Sequence, residues 1–123
     1  MAGAFQDYIS ELFEPLGGVA FRRMFGGVGI FRGGIMFALT IDDALYLKTD
    51  EASRPRFIAE GVGPFVFDSR GKTVTTSYWR LPERLFDERD EFADWAAEAL
   101  AVAERLHKPK SGKVRKSAPK AGR

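Results

Sequence analysis

Apolar residues at Phe5, Ile9, Leu12, Phe13 and Leu16 recur three and four positions apart, the spacing of one helical face. Pro15 and then Gly17-Gly18 supply the stop. After this the period shortens to two. Val28 and Ile30, then Ile35, Phe37 and Leu39, follow the alternation of half-buried strands, with β-branched and aromatic side chains enriched. Gly33-Gly34 separates the two runs. Both central positions of a primed two-residue turn need positive φ, which glycine adopts without strain. This turn sets Arg32 opposite Ile35, Ile30 opposite Phe37 and Val28 opposite Leu39, gathering the apolar residues on one face. The earlier pair, Gly26-Gly27, reads as a bulge or bend inside one long strand running from Phe21 to Phe31.

The third strand, "ALYLKT", follows a polar turn at Asp42-Asp43. A strict two-residue turn pairs Leu39 with Tyr46. A loop longer by one residue instead places Leu45 and Leu47 on the face of Leu39 and Ile41. A second helix lies in "DEASRPRFIAEG"; with Ser53 as its cap, Pro55 falls in the first turn and loses no hydrogen bond. "PFVFDSRGKTVTTSYWRL" reads as two strands around Asp68 to Lys72, with Gly71 at a positive-φ position. The last helix has acidic residues Asp87, Glu88, Asp90 and Glu91 at its start. An apolar stripe of Phe92, Trp95, Ala99, Val102, Ala103 and Leu106 follows, with Arg105 to Lys108 at its end. The predicted order is α-β(3)-α-β(2)-α. Hairpin connections make the sheet mostly antiparallel, and three helices covering one face give a two-layer α+β domain.

The glycine-rich stretch "RRMFGGVGIFRGGIMF" raises the question of a phosphate cradle. Such a loop needs a helix immediately after it, whereas here the following residues read as strand. Gly27 and Gly29 are also followed by Arg32 where a dinucleotide fingerprint has its third glycine. The chain of 123 residues has no cysteine, which removes disulfides, thiolate metal sites and cysteine nucleophiles. Its N-terminus lacks the basic region and unbroken apolar run of a signal peptide, and no segment approaches membrane-spanning length, so a cytoplasmic protein is expected. Charge is strongly divided. Residues 1–107 hold twelve bases against seventeen acids, a formal −5, while Lys108 to Arg123 hold seven bases and no acid. This segment, with one sizeable apolar residue, reads as a disordered basic tail after a domain spanning residues 1–107.

"RRMFGGVGIF", "GIMFALTIDDALYLKTDEASRPRF", "PFVF", "VTTSYWRLPE" and "DWAAEAL" resemble the TfoX N-terminal domain family, also called Sxy-like and related to bacterial competence regulators. The motif positions are Arg23, Met24, Phe25, Gly26, Gly27, Met36, Phe37, Tyr46, Lys48, Tyr78, Pro82 and Trp95. The resemblance implies a fold like that of secretion chaperones, whose members are often dimers, and no catalytic set. The matched positions are mostly apolar residues, glycines and turn formers, the composition of a fold signature.

The residues themselves point away from catalysis. His107, the sole histidine, suits the end of the last helix, where a cation complements the dipole. Asp42-Asp43 fits a turn and Asp50-Glu51 a helix start, so no metal site is expected; no serine stands in a G-x-S-x-G elbow. No cofactor is implied. The expected function is a non-enzymatic interaction or regulatory module resembling the TfoX N-terminal domain, linked to transcriptional or competence regulation through protein partners. The alternative is non-specific nucleic-acid binding through Lys108, Lys110, Lys113, Arg115, Lys116, Lys120 and Arg123. Arg22, Arg23, Lys48, Arg54, Arg56 and Arg80 form a second possible basic patch, against a reading as solvated edge charge. Because Phe31 and Met36 point opposite to Ile30 and Phe37, both sheet faces carry large apolar groups. A homodimer covering the second face is therefore expected, against an intramolecular cover by loops or by Tyr78, Trp79 and Phe86 that leaves a monomer.

Overall fold

A computed structural model of the chain describes residues 2–24 and 26–107. Its first helix, α1 (Ala2–Phe13), buries Ile9, Leu12 and Phe13. The chain tightens into one 3₁₀ turn at Glu14–Leu16, and Gly17 and Gly18 then reverse it at positive φ. Four strands follow: β1 (Val19–Met24), β2 (Gly27–Arg32), β3 (Ile35–Ile41) and β4 (Ala44–Lys48). A short α2 (Arg54–Ala59), the hairpin β5 (Pro64–Ser69) and β6 (Lys72–Arg80), a 3₁₀ turn at Glu83–Asp87 and α3 (Arg89–Leu106) complete the fold. The six strands form one antiparallel sheet in the order β1-β2-β3-β4-β6-β5.

The two-layer α+β class agrees with the sequence reading, but the order is α-β(4)-α-β(2)-α. The long strand expected from Phe21 to Phe31 is two strands, because Met24 pairs with Gly27 and Gly26, at φ +76°, reverses the chain between them. A second correction concerns β2 and β3. Gly33 and Gly34 make the expected turn at φ +61° and +80°, and Arg32 faces Ile35. Beyond that, Phe37 is the extra residue of a bulge, so Ile30 faces Ala38 and Val28 faces Thr40. The bulge puts both Phe37 and Ala38 into the core, each 0% exposed. At the next turn Asp42 and Asp43 both adopt positive φ, and the strict two-residue form sets Leu39 opposite Tyr46.

The helix α2 starts after Ser53, as the position of Pro55 requires. Its side-chain bonding differs from the expected cap: the Asp50 carboxylate accepts from the Ser53 N–H at 2.9 Å, and Ser53 Oγ accepts from the Asp50 N–H at 3.0 Å. Ser53 therefore closes the turn ahead of the helix.

All helices lie on one face of the sheet. Thr40 on β3 meets Gln6 of α1, Phe37 meets Phe13, and Trp79 on β6 meets Phe57 of α2. Phe13 stands edge-on to Phe37 at 5.6 Å and to Phe92 at 5.2 Å, joining α1, β3 and α3. Ala96, Ala99 and Ala103 give α3 a buried stripe of small side chains, which lets it settle closely on β3 and β4. Each fully buried Phe or Leu here contributes about 1.5–3 kcal/mol. Trp79 and Phe86 belong to this layer, Phe86 packing on Tyr8, so neither covers the opposite face. No helix among the described residues is long and apolar enough to cross a membrane.

Candidate interaction surface

Strand alternation turns the remaining side chains toward the uncovered face of the sheet. Met24, Phe31 and Met36 close over Gly29, where a Cβ would stand 2.4 Å from the Met24 sulfur and 2.9 Å from the Phe31 ring. Leu39 lies at the centre, 9% exposed, beside its cross-strand partner Tyr46. The Tyr46 ring is 5.2 Å from Phe65, which stacks on Phe67 at 6.0 Å. From β6, Tyr78 donates its phenol hydrogen across β4 to the Met36 carbonyl at 3.2 Å, and burial pushes its pKa up to about 12. Aromatic and thioether groups thus run from β2 to β5.

Cations are interleaved with them. The Arg22 guanidinium lies 5.0 Å above the Phe31 ring, and the Lys48 ammonium lies 5.1 Å from the Tyr78 ring while donating to Ser77 Oγ at 2.6 Å. Burial and then the nearby Arg54 charge lower the Lys48 pKa. Arg80 faces Tyr46 across the β4–β6 ladder. The carboxylates that form ion pairs lie on the helical side instead. Among the described residues the ion pairs join Arg84 to Glu60, Glu88 and Glu91, Arg56 to Glu98, and Arg105 to Asp50. None involves Arg22, Lys48 or Arg80.

The basic patch expected from sequence is therefore divided. Arg22, Lys48 and Arg80 share the open face; Arg56 stacks on Trp95 and pairs with Glu98, Arg54 donates to Thr49 Oγ1, and Arg23 lines a cleft. That cleft, about 670 Å³, lies where α1 meets the β1–β2 and β3–β4 turns, with Gln6, Gly27, Asp42 and Asp43 on its walls. A smaller hollow of about 400 Å³ holds Tyr46, Arg80 and Glu83 at the rim of the open face. No group of three or more His, Asp or Glu that could hold a metal occurs among the described residues. His107 ends α3 and is exposed, its N–H donating to the Ala103 carbonyl. The seven basic residues from Lys108 to Arg123 lie outside the described residues, as does Phe25.

The family model described as TfoX N-terminal domain matches residues 11–103. The chain belongs to the TfoX N-terminal domain family. No curated protein matches it. The positions that carry the TfoX resemblance fall into three places. Phe37, Pro82 and Trp95 are buried on the helical side. Arg23, Gly26 and Gly27 form the rim of the larger cleft. Met24, Met36, Tyr46, Lys48 and Tyr78 share the open face. Sequence reasoning did not single out Phe65, Phe67 or Arg80 as neighbours of Tyr46. Their proximity comes from β6 pairing with β4 ahead of β5, a long-range choice with no local signal. Gly29 had a local signal, a strand glycine among bulky residues, which marks close approach.

Proposed function

We propose that this TfoX-type domain is a non-enzymatic interaction module that serves regulation by binding a partner on its open sheet face. One observation carries the reading: a continuous run of aromatic, thioether and cationic side chains on a face that no described element covers. Contiguous apolar surface of that kind on a small domain marks an interaction site. Self-association is a further part of the proposal. Val66, Phe67 and Val74 at the β5–β6 hairpin are 36–46% exposed, and a two-fold contact there removes them from water while leaving most of the open face free.

Cross-linking from cells tests the module. The full chain carrying Arg80→Glu with Tyr46→Ala is expected to lose the partner captured by the unaltered chain while keeping its melting temperature within a few degrees. Capture that survives both changes removes the open face from the account. Sedimentation equilibrium tests the dimer, which predicts about twice the 13.7 kDa monomer mass. A single 13.7 kDa species at about 100 μM, where an interface of standard size holds, excludes it.

A further inference from the structure

We infer that the occupant of the open face is single-stranded DNA, its bases stacked on Phe31, Tyr46 and Phe65 and its phosphates held by Arg22, Lys48 and Arg80. This rests on the reading of that face as a binding surface and names what binds there. Charge segregation is the first support. Residues 1–107 carry a formal −5, yet the open side of the sheet presents three cations with no carboxylate partner among the described residues. A polyanion complements such a face. A second copy applied face to face sets the same cations against one another, which disfavours that arrangement.

The aromatic geometry is the second support. Phe31, Tyr46 and Phe65 are half-buried, held by neighbours and partly exposed. They lie on β2, β4 and β5, and the sheet order separates Phe31 from Phe65 by four strand spacings, roughly 19 Å. Rings fixed on a rigid sheet and alternated with Arg and Lys form the platform on which unpaired bases stack. A duplex keeps its bases stacked on each other and cannot use the rings. Among the described strand residues that alternate onto this face none is a carboxylate or an amide, and Glu83 stands only at its rim, so RNA places an extra polar group over the rings without a strong side-chain acceptor.

Fluorescence anisotropy with the full chain tests this, using labelled oligothymidine of about 12 nucleotides, within the roughly 4–16 nucleotide range of single-strand sites. The same length of RNA and of duplex DNA are compared at about 50 mM salt, where non-specific contacts still hold. Single-stranded DNA is expected to bind more tightly than either. Phe65→Ala and Tyr46→Ala each weaken it about tenfold or more while leaving duplex affinity unchanged. Arg80→Gln lowers the salt slope by about 0.7, the share of one phosphate on a single strand. Glu83→Gln removes the acid at the rim, is exposed and so spares the fold, and tightens binding. Equal affinity for duplex and single strand, indifferent to Phe65→Ala, assigns binding to the basic segment and overturns the inference. Tighter binding of RNA overturns the choice of DNA. Absence of DNA binding overturns it as well; loss of a cross-linked protein partner in the Arg80→Glu, Tyr46→Ala chain then leaves the interaction-module reading standing.

Discussion

Gly27 and Gly26 are adjacent and serve different ends, and alanine substitution separates them. Gly26 has φ +76° with nothing within 4 Å of where a Cβ would lie. Its replacement costs the left-handed conformation, roughly 1–2 kcal/mol, offset by about 0.4–1 kcal/mol from the less flexible unfolded chain. The net is about 1 kcal/mol. Gly27 is absent from the positive-φ residues, but a Cβ on it stands 2.1 Å from the Thr40 carbonyl oxygen and 3.1 Å from Ile41 Cβ. That is more than 1 Å inside a carbon–oxygen contact of roughly 3.3 Å. Because the clash is with backbone, no rotamer change relieves it. The strands β2 and β3 must part beside the Val28–Thr40 pair. Overpacking of about 1–3 kcal/mol, plus weakening of one or two ladder hydrogen bonds at about 0.5–1.5 kcal/mol each, gives a loss of about 2–4 kcal/mol. At roughly 4 °C per kcal/mol for a domain of this size, Gly27→Ala lowers Tm by about 8–16 °C and Gly26→Ala by about 4 °C. Thermal melts followed by circular dichroism give both values. A Gly27→Ala protein as stable as Gly26→Ala, or more so, refutes the assignment of Gly27 to strand approach.

Arg84 hydrogen-bonds Glu91 and holds its pKa at about 2, and lowers that of Glu60. A carboxyl depressed in the folded state stabilises the fold above its ordinary value of 4.5 and loses that contribution as pH falls toward 2. Arg84→Gln is therefore expected to flatten the decline of the urea midpoint between pH 4.5 and 2; an unchanged acid limb contradicts the pairing. At the other end of the scale, the raised Tyr78 pKa disfavours ionisation in the fold, so stability falls as pH rises from 10 toward 12. Tyr78→Phe removes this alkaline slope and, by leaving the Met36 carbonyl without its donor, costs about 0.5–1.5 kcal/mol at neutral pH. An alkaline slope that persists in the phenylalanine variant places the titrating group elsewhere.

Much of the layering was legible because helical and strand periods differ, and because Gly33-Gly34, Asp42-Asp43 and Gly71 are turn formers at positions the backbone uses. The β1–β2 turn was missed for the same kind of reason in reverse. Met24 and Val28 continue the apolar pattern around Gly26-Gly27, so nothing polar separates a turn from a bend. The bulge at Phe37 was hidden because Phe37 and Ala38 are both apolar, and a register slip between two core residues leaves the pattern intact. The opposite orientation of Phe31 and Met36 relative to Ile30 was readable from alternation alone. Which further residues join them was not. Tyr46 meets Phe65 only because the β5–β6 hairpin inserts β6 next to β4, and that pairing depends on Trp79 finding Phe57 and on Leu81 bonding Leu45 on the helical side.

The open face is the centre of the account, and an NMR titration of the full chain with single-stranded oligothymidine addresses it residue by residue. The account predicts that the largest amide shifts fall on β2, β4, β5 and β6 around Phe31, Tyr46, Phe65 and Tyr78, with α1 and α3 unmoved. Shifts confined to residues 108–123, or centred on the cleft at Arg23 and Gln6, contradict it.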